Sequence, residues 1–391
     1  MKSILLGAYM ALIVSGVWSS AAWSGPFTRV SDWVDSNVID SQDGKLDVSE
    51  YLASSQGLLP VPIIISEPAV GFGVGLAVAY FHSRKEMDAT KHSHQGPPSM
   101  SVGFGAITEN GTYLYGGAHI GVWKADHIRY VGALAKANIN MTFYTDAESD
   151  GRKLSDGIQF NIDGNIVLQQ IQFRLKESNW WLGTNYLFVD AMNTFKLPAV
   201  LPPELPDPQF DFNLAGLGIF AQYDSRNSIF TPTQGLSAKL EYKNYGDSWG
   251  SDFNFNRYKG SLLHYTRLGD YSSLGLRLAG ETVSGDTPFF GYPFIFMRGI
   301  PAMRYQGESA ITGEAEYLWG ITPRWVLSLF GGAGGTSDIN SLAIRGQTVG
   351  AGGLGFRYRL ARKLGLQAGV DIARGPEDTS IYIVVGSAWV F

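Results

Sequence analysis

Ile381-Tyr-Ile-Val-Val-Gly-Ser-Ala-Trp-Val-Phe391 closes the chain with an apolar residue at every second position, interrupted only at Ser387. Side chains of a strand alternate between its faces, so the segment presents one apolar face up to the carboxylate, with Trp389 and Phe391 as its aromatic bulk. A soluble protein seldom ends on such a strand, because an unpaired apolar edge templates aggregation. In a closed transmembrane barrel the last strand is paired on both sides and its aromatics meet the membrane rim. The expectation for the terminus is a barrel strand running to Phe391.

Gly386, Trp389 and Phe391 also resemble the signal by which Gram-negative outer-membrane barrels are recognised, a glycine and then two aromatics, the last at the terminus. That resemblance implies the barrel assembly machinery as a partner during biogenesis. The other end agrees. Met1-Lys2-Ser3, an apolar run from Ile4 to Val17 and Ser20-Ala21-Ala22 have the layout of a secretory signal peptide, 1–22. The run is short for the roughly 20 residues of a membrane-spanning helix. The chain has 391 residues, no Cys, 48 Gly and 13% aromatics. Lack of Cys excludes a disulfide scaffold and a lipidated cysteine. A net charge of −5 leaves no nucleic-acid footprint. Mean hydropathy is −0.02, as a barrel allows, because lumen and lipid faces average out.

From Gly57 onward the chain reads as strands and turns. Leu236, Ala238, Leu240 and Tyr242 alternate with Ser237, Lys239, Glu241 and Lys243, and Leu354, Phe356, Tyr358 and Leu360 with Gly355, Arg357 and Arg359. A soluble sandwich shares this period; strand length and count favour the barrel. Strands are expected near 59–66, 70–82, 99–108, 112–122, 128–144, 157–175, 179–192, 212–226, 235–245, 251–267, 271–283, 307–319, 323–335, 347–361, 364–374 and 380–391, sixteen in all. The expected fold is all-β, a 16-stranded antiparallel transmembrane β-barrel over 59–391 with one long loop folded inward. Segment 23–58 is expected to be a short periplasmic N-terminal piece and a candidate lumen plug. The face bearing Lys136, Lys239, Arg277, Arg357 and Glu281 is expected to line the lumen.

Several residue groups invite chemistry and fall short. Asp43, Gly44 and Glu50 have calcium-loop spacing, yet the first ligand position falls on Ile39, so a turn at Asp43-Gly44 followed by an Asp47/Glu50 capping box is the simpler reading. Gly71-Phe-Gly-Val-Gly75 and Gly350-Ala-Gly-Gly-Leu-Gly355 open onto no helix, as a phosphate cradle requires. His92-Ser-His94 lacks carboxylate or thiolate partners nearby for a metal. A hydrolase would need a Ser/His pair oriented by a third group; His82, His119 and His264 are present, without a Gly-x-Ser-x-Gly elbow. No catalytic residue, metal or cofactor is expected.

The strongest internal constellation is Met297-Arg298-Gly299-Ile300-Pro301, on a long connection, followed by Gly313-Glu314-Ala315-Glu316-Tyr317-Leu318-Trp319. If the aromatics of the second segment face lipid, Glu314 and Glu316 face the lumen. Arg298 on an inward-folded loop would bond them and pin it. The competing reading is a solvated loop with an incidental arginine.

Arg-Gly-aliphatic on a long loop followed by a Glu-bearing strand resembles the sixth loop and twelfth strand of the BamA/TamA superfamily, the bacterial surface antigen barrels. Tyr223-Asp-Ser-Arg-Asn-Ser-Ile-Phe-Thr-Pro-Thr-Gln-Gly235 resembles the periplasmic turn of that family at Asp224, Arg226, Pro232 and Gly235. The resemblance implies that Arg298, Gly299 and Ile300 lock the loop against acidic strand residues. Where the family carries Phe-x-Asp-x-Gly, Phe330-Gly-Gly-Ala-Gly334 has Gly332 at the Asp position, so Arg298 must rely on Glu314 or Glu316, with Asp371 as a further acid. The stretch before the barrel is too short for the periplasmic POTRA repeats of the assembly factors. The resemblance thus implies a monomeric, non-enzymatic barrel without POTRA domains in the outer membrane. It would insert or translocate protein or lipid, in contact with outer-membrane lipid and a cargo that the sequence does not name. A passive diffusion channel is the rival, and an outer-membrane hydrolase a third reading. In the family a weak seam between first and last strands is a proposed mechanism, and Pro60 and Pro62 would weaken it here.

Overall fold

The computed structural model describes residues 39–40, 43–49, 57–82, 99–144, 148–149, 152–153, 157–196, 207–228, 231–342, 344–362 and 365–389. Signal segment 1–22, His92, His94, most of the Pro-rich connection near 197–208, Glu50 and Phe391 lie outside them. Sixteen strands follow one another in a single antiparallel sheet in sequence order. They are β1 Gly57–Ile65, β2 Gly73–Phe81, β3 Met100–Thr108, β4 Tyr113–Trp123, β5 Ile128–Phe143, β6 Ile158–Arg174, β7 Trp180–Phe195 and β8 Gln209–Asp224. The second half is β9 Gly235–Tyr245, β10 Phe255–Arg267, β11 Ser273–Gly285, β12 Ser309–Gly320, β13 Trp325–Thr336, β14 Thr348–Ala361, β15 Leu366–Arg374 and β16 Thr379–Val385. A two-residue ladder, Glu148–Ser149 with Arg152–Lys153, decorates the β5–β6 connection.

Burial is inverted relative to a soluble protein. Leu240 and Leu354 are 70% and 64% exposed, whereas Arg357 and Asp371 are 0% exposed. Large apolar side chains outside and charges inside are what a sheet needs when lipid replaces water around it. No helix among the described residues is long and apolar enough to cross a membrane. The short turns 124–127, 175–179, 268–272 and 321–324 lie at one end, the turn end, and the longer connections 246–254, 286–308 and 337–347 at the other, the loop end.

Two expectations need correction. Lys136 does not line the lumen: it shares the outward face of β5 with exposed Leu134 and pairs with Asp163. Its neighbours Asn138 and Asn140 bond Asn161 on the same surface (2.8 and 2.9 Å), while Phe143 and Phe160 are buried on the inner side. Over this stretch the longest strands have the polar-out pattern of a water-exposed sheet, packed on apolar contents. The second correction concerns the terminus. β16 stops at Val385, and Gly386 turns the chain with φ +80°, a left-handed conformation favourable for glycine. Trp389 then packs on the inner wall, over Tyr265 of β10 (centroids 6.1 Å apart) and against Gly275 of β11, instead of meeting lipid at the rim.

The inner space at the loop end is filled by the β11–β12 connection. Its first arm carries Phe289, whose ring lies 5.2, 5.0 and 5.1 Å from those of Phe143, Phe160 and Phe195, and Phe290, 4.8 Å from Phe212. Its tip buries Ile295, Met297, Ile300 and Tyr305 beside Val349 and Ala351 of β14.

Candidate functional site

The β11–β12 connection is pinched into an arm by Ile295 N–H donating to the Tyr305 carbonyl (3.0 Å) and Gly307 N–H to the Pro293 carbonyl (3.0 Å). Arg298 stands at the tip. Its Nη1 donates to Glu316 Oε1 of β12 (2.9 Å) and to the Asp371 carboxylate of β15, and the guanidinium lies 3.5 Å from the centre of the Phe330 ring. A second arginine joins. Arg357 of β14 donates to Glu316 Oε1 (2.6 Å) and Asp371 Oδ2 (2.9 Å), and Ser328 Oγ completes the Glu316 shell at 3.0 Å. Two guanidiniums and two carboxylates share one buried cluster with no net charge, an arrangement that offsets the cost of desolvating each.

Glu314 is not a partner of Arg298. It sits directly opposite Arg277 in the β11–β12 ladder and pairs with it at 2.5 Å. Asp371 is reached from the next strands instead. Gly332 explains the exchange: a Cβ there would lie 2.7 Å from Glu314 Cγ and 2.8 Å from Met297 Sδ, and would collide with the Gly313 carbonyl. Backbone and loop fill the space an aspartate would take. Parity along β14 places Arg357 on the inner face; its membership of the cluster had no sequence signal, because its partners lie on β12 and β15.

Gly299 and Ile300 continue the tip toward the edge of the sheet. Gly299 N–H donates to Tyr382 Oη of β16 (2.8 Å), Ala302 N–H to Glu67 Oε1 in the β1–β2 turn (3.0 Å), and Tyr305 Oη to Glu377 in the β15–β16 turn. Glu67 is buried enough that desolvation pushes its carboxyl above the ordinary glutamate range, against the pull of the Ala302 and Ala69 N–H groups. The tip thus touches both the first and the last hairpin.

Those hairpins are not joined by a ladder. Among the described residues no ladder joins β1 and β16, and one hydrogen bond crosses the gap, from Ile383 N–H of β16 to Ser66 Oγ just past the end of β1 at 3.1 Å. With Ser66 level with Ile383, an antiparallel continuation sets Ile64 against Val385 and leaves the edge of Gly57–Ile63 that faces away from β2 without a strand beside it among the described residues. The β1–β2 ladder runs unbroken through Pro60 and Pro62, opposite Val78 and Leu76, so the edge lacking their N–H groups is the one facing the gap.

Other singled-out residues fall elsewhere. Arg226 forks onto Asp224 (2.9 and 2.8 Å) in the β8–β9 turn, with Pro232 buried and Gly235 at φ +108°. Ser101 lies between His82 Nε2 (2.9 Å) and His119 Nδ1 (3.0 Å), and among the described residues neither ring's other nitrogen has a protein partner. The turn at Asp43-Gly44 forms, and its acids surround the Arg324 guanidinium. Among the described residues no cluster of three His, Cys, Asp or Glu is arranged for a metal.

Comparison with known proteins accords with this architecture. No curated protein matches the sequence. Among solved structures, BamA from Haemophilus ducreyi lacking POTRA domains 1–3 superposes with a TM-score of 0.56 at 11% identity, covering 94% of this chain and 80% of that one. CdiB from Acinetobacter baumannii gives 0.55 at 11% identity (84% and 59% covered), and CdiB from Escherichia coli 0.56 at 7% (85% and 62%). The chain thus spans about three fifths of either CdiB chain. No POTRA repeat precedes the barrel among the described residues. Residues 138–294, from β5 to the first arm of the lumenal loop, match the Omp85 superfamily domain, and the barrel that contains them has the fold of BamA and CdiB.

Proposed function

We propose that this chain is a monomeric outer-membrane barrel that inserts or translocates a protein or lipid, with the β11–β12 loop as its internal gate. On this reading residues 1–22 are a removable signal peptide, the turn end faces the periplasm, and biogenesis runs through the barrel assembly machinery. The observation that carries it is the missing ladder between β1 and β16. An exposed strand edge is a template for an incoming strand, and a gap in the wall is a route between lumen and lipid. Arg298, held by Glu316 and Asp371, keeps the loop inside, and the same tip contacts Glu67 and Tyr382 on the two sides of the gap. Nothing in this arrangement calls for a catalytic residue.

The test joins the edges covalently. An Ile64→Cys/Val385→Cys chain, oxidised and reconstituted in vesicles, should lose insertion of an unfolded barrel client and transbilayer lipid movement, and regain both on reduction. Full activity with the disulfide closed would sink the lateral route. The passive-channel rival is separated by planar-bilayer conductance. A large steady open state in the native chain would favour the channel, whereas a small conductance that rises in Arg298→Ala would favour the gated barrel.

A further inference from the structure

The acidic turn before β1 is bound to the rim of the barrel, on the far side of the gap from the strand it leads into. Asp40 N–H donates to the Lys45 carbonyl and Gly44 N–H to the Asp40 carbonyl (2.8 Å each), making a tight turn that gathers Asp40, Asp43 and Asp47. Arg324, in the β12–β13 turn, is inserted among them. Its Nε donates to Asp43 Oδ2 (2.9 Å), Nη1 to Asp47 Oδ2 (2.7 Å) and the Leu46 carbonyl (3.1 Å), and Nη2 to Asp43 Oδ1 (2.8 Å) and Asp40 Oδ2 (3.0 Å). Those five bonds match the five N–H donors of a guanidinium, and the Arg324 side chain is 2% exposed. Arg362, at the end of β14, bonds the same trio through Asp40 and Asp47. Two further bonds hold the turn on β14: Val48 N–H to the Leu360 carbonyl (2.7 Å) and Tyr358 Oη to the Leu46 carbonyl (2.9 Å).

We infer that this turn is a clasp for the seam: it ties β1 to the rim formed by β12–β14, beyond β15 and β16, and so holds the turn end of the gap. Seven residues, 50–56, join Ser49 to Gly57, so the turn and the unpartnered edge of β1 belong to one short stretch of chain. The loop tip spans the seam at the loop end, through Glu67 and Tyr382; the acidic turn does so at the turn end. Between the two, one hydrogen bond connects the edges among the described residues. Side chains thus replace the missing ladder, and ion pairs at a rim where the Arg362 and Asp43 side chains stay partly exposed can be exchanged for other charged groups as buried backbone pairs cannot. The chemistry that would displace the turn is an acidic segment of a client or partner presented to Arg324 and Arg362.

The clasp rests on the seam acting as the working part of the barrel, and its test reads the seam without reading activity. Asp40→Asn/Asp43→Asn/Asp47→Asn alters only residues outside the sheet; native folding is checked by heat-modifiable gel mobility. Backbone hydrogen exchange in β1 and β16 should rise about tenfold or more, the loss of at least one charge-assisted hydrogen bond, with β5–β8 unchanged. Arg324→Gln, which strips the same bonds from the barrel side, should do likewise. Unchanged exchange in β1 and β16 overturns the clasp, and so does a uniform rise over all strands. If the variants speed exchange at the seam while the Ile64–Val385 disulfide chain stays fully active, the clasp stands and the translocation reading falls. If the disulfide blocks activity but the variants leave the seam unmoved, the clasp alone fails.

Discussion

The wall from β5 to β8 and the seam between β1 and β16 are two parts of one sheet built on opposite terms. In the wall, strands of 16 or 17 residues pair along nearly their whole length, 16 register partners joining β5 to β6, and their far ends close over Phe289 and Phe290. At the seam, strands of nine and seven residues meet without a ladder, one edge carrying two prolines and the other ending at a glycine turn. The wall stores its stability in backbone bonds that no competitor reaches. The seam relies on side chains contributed by distant parts of the chain: Arg298 and its neighbours from the loop, Arg324 and Arg362 from the rim. A barrel can therefore hold its shape and still part at one line.

Hydrogen exchange tests this contrast most directly. Amides of β1 and the β16 edge should exchange about a thousandfold faster than those of β6 and β7, because local opening costs little where no ladder forms. Equal protection would mean that the seam is closed in solution. Next in size is Arg298→Ala, which leaves Glu316 and Asp371 with Arg357 as their remaining cation. Breaking such a buried cluster costs about 3–5 kcal/mol. Thermal unfolding should fall accordingly, and protease should cut the β11–β12 loop first; a loop that stays protected would show that its apolar tip suffices.

Gly332→Asp restores the acid that the BamA/TamA pattern would place on β13, and it is expected to harm. The Cβ collides with the Gly313 carbonyl and crowds Met297, a cost of about 1–3 kcal/mol in denaturant titration. A stabilised variant would show that Arg298 is under-satisfied as it stands. The smallest effect is a titration. Asp43 is held below the ordinary aspartate range chiefly by its bond to Arg324, with Lys45 N–H adding to it. A lowered folded value means stabilisation that is present above the ordinary aspartate range and lost as pH falls through the depressed one. Carbon-13 NMR of the carboxyl should show that midpoint return upward in Arg324→Gln; an unmoved midpoint would dissolve the pairing.

Much of the architecture was legible in advance. Most residues of β9, β12 and β14 carry the polarity of the face they join, so sixteen strands follow from alternation together with strand length and count, and Glu314 and Glu316 aim inward once Tyr317 and Trp319 are set outside. The same rule misled at Lys136, because period two tells faces apart without saying where a strand leaves the membrane and its polarity reverses. It also ran the last strand to Phe391, past a glycine whose left-handed turn redirects the chain.

Strand length, strand count and alternation, read along the chain alone, point to a barrel and to most of its inward positions, Lys136 excepted, and they put a loop arginine ahead of a pair of strand carboxylates. Local patterns carry those facts because alternation and turn residues act over a few positions. Folding alone reveals that Glu314 belongs to Arg277, that Arg298 meets Asp371 three strands after Glu316, that β1 and β16 part, and that Asp40, Asp43 and Asp47 hold Arg324 at the rim. Those choices depend on the curvature that brings non-neighbouring strands, loop and N-terminal turn to one place. Charge pairing acts through space, and nothing in the linear order of residues states which opposite charge will be nearest.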